Sequence, residues 1–244
     1  PDGYVGKPPE LGTGVFAMAY GNSAGTNPSY VSNFPVDFAL LRQPATSEGW
    51  YTSGRLIQNK YLFTNTTNAE TSVNNFVFDH NNGWRDGSAA TNYLSWMWKR
   101  HAGFDVVAYK GNSTAGHAIP HSLNKIPEMF WIKQRDGSAD YAWRVFHKDL
   151  NNGVDAYQWM LEINSSAAEN GGNVWFNQMP TSTHFMVKTS PTTNGSNVNY
   201  IAMLFASVDG ISKVGSYTGD DSDDGSYVIN VGFTPRFLII KRAD

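Results

Sequence analysis

The sequence predicts an all-β protein made of tandem antiparallel β-sandwich repeats of a lectin-like or jelly-roll-like kind, and three observations lead there. The polar residues are mainly Asn, Ser, Thr and Gly, while aromatic residues reach 14%, a mixture that favours strands and turns. Apolar runs are short and end at clusters of Gly, Asn, Pro or Ser. No segment keeps an apolar 3.6-residue period over the roughly ten residues that a stable helix needs.

The elements follow from a repeat. "GVFAMAYGNSAGTNPSYVSNFPVDFALLRQ" from Gly14, "GFDVVAYKGNSTAGHAIPHSLNKIPEMFWIKQRD" from Gly103 and "GISKVGSYTGDDSDDGSYVINVGFTPRFLIIKRAD" from Gly210 align. Each opens on Gly, runs through a β-rich stretch to a Tyr, and turns on Gly with Asn or Asp. After a Pro, each resumes with an apolar run closed by a basic residue. "NYLSWMWKRHAG" at 92–103 matches "NYIAMLFASVDG" at 199–210, and Tyr93 to Tyr200 and Gly103 to Gly210 are both 107 residues apart. "KYLFTNTTNAE" and "QWMLEINSSAAE" correspond more loosely.

The expected organisation is a first, shortened repeat over 1–101 and a second over 102–208. Residues 209–244 either open a third or complete the second. Within the second repeat the strands are expected at "DVVAY", "MFWIK", "WRVFH", "QWMLEI", "NVWFN", "HFMVK" and "NYIAMLF". That density of short strands in about 100 residues fits a sandwich. Trp96, Trp98 and Trp131 align with Met203, Phe205 and Ile239, and all are read as core.

Composition narrows the partners. A net charge of -3 with 16% charged residues advertises no surface for nucleic acid or anionic lipid. The chain has no Cys, so stability must come from packing or from association between chains. The first residues lack a signal-peptide pattern and no run of about 18 apolar residues occurs, so no membrane insertion is expected. The sequons at Asn65, Asn112, Asn164 and Asn194 are of the kind that an Asn/Ser/Thr-rich chain produces by chance.

Three motifs imitate chemistry. "GNSAG" at 21–25 has the G-x-S-x-G form of a nucleophile elbow, but Pro28 and Pro35 follow where that elbow needs a helix. "HAIPH" spaces His117 and His121 as metal ligands on a helix would be, and Pro120 forbids the helix, leaving loop histidines. "DDSDDG" at 220–225 begins like a calcium loop, yet its twelfth position is Val231 in place of a bidentate Glu. A solvated turn is the leading reading there, and calcium held by two or three of Asp220, Asp221, Asp223 and Asp224 the secondary one; no other cofactor is expected.

All three motifs occupy the same turn of the repeat with unrelated side chains. A fixed scaffold with varying tips is where binding resides, so the candidate ligand-binding residues are Asn22, Asn112, His117, His121, Asp220 and Asp224. Tyr51, Trp84, Tyr141 and Trp143 could stack on sugar rings, against the commoner role of such aromatics in cores. Trp84 corresponds to Phe185, which favours structure. The carboxylates are scattered without the pairing that glycoside hydrolysis uses, and no catalytic residue is assigned.

The three long stretches, with "YLFTNTTNAE" and "NYLSWMWK", resemble a family of uncharacterised repeat domains common in virion and tail-fibre-like proteins of marine bacteriophages. The resemblance covers about residues 11–244. It implies a virion protein on a tail fibre or other external appendage, assembled as a homo-oligomer beside other virion proteins, that binds host-surface glycan or protein without catalysis. The alternatives are a purely architectural virion element and, further off, a polysaccharide depolymerase.

Overall fold

The computed structural model describes residues 11–23, 27–87, 91–137, 139–172, 174–221 and 227–244. The first unit contains β1 (Phe16–Tyr20), β2 (Tyr30–Val31), β3 (Phe38–Arg42), β4 (Tyr51–Gly54), β5 (Lys60–Phe63), β6 (Thr71–Ser72), β7 (Phe76–Val77), β8 (Gly83–Asp86) and β9 (Leu94–Trp98). The second contains β10 (Phe104–Lys110), β11 (His117–Pro120), β12 (Met129–Gln134), β13 (Arg144–His147), β14 (Trp159–Glu162), β15 (Asn170–Gly171), β16 (His184–Val187) and β17 (Asn199–Phe205).

Two six-stranded antiparallel sheets have matching orders, β1-β9-β3-β4-β5-β6 and β10-β17-β12-β13-β14-β15. Each faces a small sheet, β2-β8-β7 in the first unit and β11-β16 in the second, where Trp175 bridges to Val187 on the side that β7 takes in the first. The protein is an all-β antiparallel sandwich structure. No helix among the described residues is long and apolar enough to cross a membrane.

The central strands β3 and β12 explain the uninterrupted apolar runs at these places. Ala39 and Leu41 point into the first sandwich with Phe34, Phe78, Trp84 and Met97. Phe38 and Leu40 point the other way, into a cluster shared with Phe104, Trp131, Trp143 and Met203 of the second unit. Both faces are covered, so the alternation that marks a half-buried strand disappears. Each fully buried Leu or Phe contributes about 1.5–3 kcal/mol, as an upper estimate, which makes the junction between units part of the core.

The structure revises three expectations. The repeated Tyr is not one position: the ladders pair Phe16 with Trp98 and Phe104 with Phe205, which places Tyr20 opposite Leu94 and Tyr109 opposite Tyr200. A one-residue shift turns a side chain to the other face, so Tyr20 is exposed whereas Tyr109 stacks on Tyr200 at 5.2 Å.

The described residues of 209–244 show neither an added strand of the second sheet nor a hairpin. Among the described residues from 213 onward no strand is present. Ile239, expected in the core, is 50% exposed, against 3% for its counterpart Trp131. The cause is topological. In both complete units the two strands of this stretch never pair with each other but flank a third, β9 or β17, and residues 210–244 hold no counterpart of that third strand.

Finally, Trp96, Trp98 and Phe205 are only partly buried against the core. Phe237 of the third stretch lies against Trp96 and Trp98, at 6.2 and 5.2 Å.

Candidate functional site

The turn from β10 to β11 is fastened from outside itself. Asn194, fully buried at the end of a short helix (α1, Pro191–Asn194), uses its whole side chain for this. Its Oδ1 accepts from Asn112 N at 2.9 Å and lies 3.0 Å from His117 Nδ1. Its Nδ2 donates to Thr114 O at 2.9 Å and Lys188 O at 2.7 Å. Because an amide oxygen only accepts, His117 must carry its proton on Nδ1.

Ser190 caps the helix and Pro191 takes its first position, the arrangement that suits a helix start. A Cβ on Gly111 would overlap the Gly195 carbonyl, so only glycine lets the turn approach this closely. Asn112, Ser113 and Thr114 stand exposed at the tip, where Asn112 Oδ1 accepts from Thr114 N at 2.8 Å.

The predicted site residues do not gather in one place. Asn112 and His117 meet at Asn194, but His117 lies in strand β11, opposite Val187, and not in a loop. The loop expectation failed because Pro120 excludes a helix while leaving an edge strand open to it. His121 lies four residues on, roughly 13 Å along an extended chain, and holds a different contact. Its Nε2 is 3.2 Å from Thr181 O and its Nδ1 accepts from Leu123 N at 3.3 Å. Burial lowers its pKa, the main cause, so the ring is neutral at pH 7.

In the first unit, exposed Asn22 sits at the turn after β1 and donates its N–H to Ser29 O at 2.8 Å. Asp220 and Asp221 are exposed far along the third stretch. Asp223 and Asp224, and with them half of the calcium reading, lie outside the described residues. Among the described residues no group of three or more His, Asp or Glu is placed to hold a metal ion. Trp84 and Trp143 are buried, which removes them as sugar platforms, and Trp84 and Phe185 occupy matching places, opposite Tyr30 and Ile119.

Sequence reasoning missed a groove of about 320 Å³ where the units meet, lined by Leu56, Arg100, Val106, Ala108, His121 and Ser122 among others. Its polar wall is preset. Buried Asp105 accepts from Arg100 Nε at 2.6 Å, Ser122 N at 2.7 Å and Ser122 Oγ at 3.1 Å, and Arg100 Nη2 donates to Ser122 Oγ at 2.8 Å. The guanidinium charge is matched by Asp105 and the imidazole is neutral, so the groove presents apolar floor with hydrogen-bonding rim. The only hint in the sequence was the proximity of "KRHAGFD" to "PHS", which the fold brings together.

Duplicated sandwiches with a fastened turn and a preset junction groove define a tandem β-sandwich repeat protein. The chain belongs to the DUF7483 family, described as a domain of unknown function, whose model matches residues 19–244. Neither curated proteins nor solved structures give a match.

Proposed function

We propose that this chain is a non-catalytic segment of an external appendage of a bacteriophage particle, and that it contacts host-surface glycan or protein through its turns and the separate groove at the junction of the units. The observation that carries the reading is the turn at Asn112–Thr114: its shape is held by Asn194 and Gly111, so its exposed tip can change without cost to the frame. In the first unit the turn after β1 repeats the same Gly-Asn-Ser, at residues 21–23. Weak contacts at several such turns add through avidity when copies assemble.

The test is two-fold. Antibody against the chain should label the distal ends of appendages on intact particles by immunogold microscopy, and the chain should bind host cells. Replacing Asn112 and Thr114 together by Ala should weaken that binding about tenfold with the fold intact, and unchanged binding would refute the turn as the contact. A second reading, an architectural element packed against neighbours, is favoured by the exposed Val228, Leu238 and Ile240. Label along a shaft or on the capsid would select it.

A further inference from the structure

The contact that joins the first unit to the second is repeated between the second unit and the third stretch. After β5, the loop grips the end of β12: Glu70 N donates to Arg135 O at 2.7 Å, and Lys133 Nζ to Thr67 O at 2.8 Å. After β14, the corresponding loop grips the end of the third stretch: Glu169 N donates to Ala243 O at 2.6 Å, and Lys241 Nζ to Ala167 O at 2.8 Å. Glu70 and Glu169 each stand one residue before β6 or β15. Lys133 and Lys241 hold the same place in "MFWIKQRD" and "FLIIKRAD". Residues 237–243 therefore sit on the second unit as β12 sits on the first, although they form no strand.

A third contact turns this row into a ring. Phe104 of the second unit packs on Phe38 of the first at 5.6 Å. By ladder register Phe16 is the counterpart of Phe104 and Phe38 that of Met129, and the match of "FLIIKRAD" to "MFWIKQRD" makes Phe237 the counterpart of Met129 in the third stretch. Phe16 packs on Phe237 at 5.9 Å. The first unit thus stands to the third stretch as the second stands to the first. The beginnings of the repeats also converge: Gly12 lies against Gly210 and Ile211, and Gly103 against Ser212. In an open linear array, first and third members do not meet.

We infer that these repeats close around a three-fold axis, and that the half-filled third place is an interaction surface for the remainder of a third repeat, the counterpart of residues 137–210. Two features await it. One is a central strand of the β9 and β17 type, between the stretch that starts at Ile211 and the apolar run Phe237–Ile240, whose Leu238, Ile239 and Ile240 are now exposed. The other is a gripping loop for the end of β3. There Arg42 takes the place of Lys133 and Lys241, and its Nε is buried without a hydrogen-bond partner, while Pro44 stands where Arg135 and Ala243 offer their carbonyls. The occupant is identified by continuity with the two contacts already made, and the inference does not rest on what the turns bind.

The test is to extend the full chain after Asp244 with a copy of residues 137–210 and to follow hydrogen exchange. The amides of 238–240 should exchange on the order of a hundredfold more slowly than in the 244-residue chain, with the extended protein monomeric by sedimentation. Unchanged exchange would overturn the inference. So would concentration-dependent protection of these amides in the 244-residue chain, because the occupant would then be a second copy. Should the extended chain not fold, the cycle Phe16→Ala and Phe237→Ala in the original chain decides: the two changes should be non-additive by about fivefold or more in the unfolding equilibrium constant, and additivity would break the ring.

Discussion

The two sandwiches share one frame and load its large sheet differently. In the first, the bulk comes from the small sheet and its flanks, where Trp84 lies between Tyr30 at 4.8 Å and Phe78 at 4.9 Å, and the large sheet answers with Ala39 and Ser53. In the second, Phe130 and Phe146 stand at the places of Ala39 and Ser53, 4.8 Å apart, and Phe130 meets Trp175 and Phe185 from the small-sheet side. The strand order constrains the space to be filled and leaves open which sheet supplies the side chains. Interiors pack to a near-constant density, so bulk added on one face must be given up on the other.

The most severe way to break this equivalence is to empty one side. Trp84→Ala and Phe130→Ala should each cost about 3–5 kcal/mol in urea unfolding. If only one of them does, the two cores are not alternative fillings of one frame.

A second contrast concerns the cation that ends the central strand. Lys133 is buried, and desolvation, its main perturbation, brings its pKa down to about 8, whereas Arg42 at the matching place is half-buried. A lysine with a lowered folded pKa binds fewer protons folded than unfolded between the two values. Stability should therefore rise with pH from about 8 to about 10.5, by on the order of 3 kcal/mol in full. Lys133→Met should flatten that rise. A persistent rise would assign it to another group.

A transplant is milder. Ala39→Phe alone should cost about 1–3 kcal/mol by overfilling the first core, and adding Trp84→Leu should recover part of that loss. Smallest is a lock that both units share: Asn65 Oδ1 accepts from Trp50 N and Asn164 Oδ1 from Trp143 N, each at 3.0 Å. Either Asn→Ala change should cost about 1–2 kcal/mol. The greater loss is expected at Asn164, because Trp143 is buried and Trp50 only half-buried.

These contrasts also show what the sequence made legible. Of the seven strand segments expected in the second unit, six are the strands β10, β12, β13, β14, β16 and β17, and the other carries the Trp175 bridge. Short range was enough, because period and turn residues act within one strand. What escaped depended on partners distant in sequence. Asn164 and Asn194 read as chance sequons, yet one orders Trp143 and the other the Asn112 turn. "FLIIKRAD" carries the composition of a buried strand and lacks the neighbour that would bury it. The groove at Arg100 and His121 joins segments 21 residues apart in the chain through a carboxylate, Asp105, that no motif marks. The turn after β10 does stand exposed at Asn112–Thr114, but the two histidines read as loop residues proved to be fastenings.

Asn194 has a consequence for engineering. A loop whose anchor belongs to another segment behaves as a cassette. Randomising positions 112–115 while keeping Gly111, Gly116, His117 and Asn194 would give a display library in which affinity can be selected without selecting again for folding. A chain without cysteine suits such use, since its variants would carry no thiols to mispair.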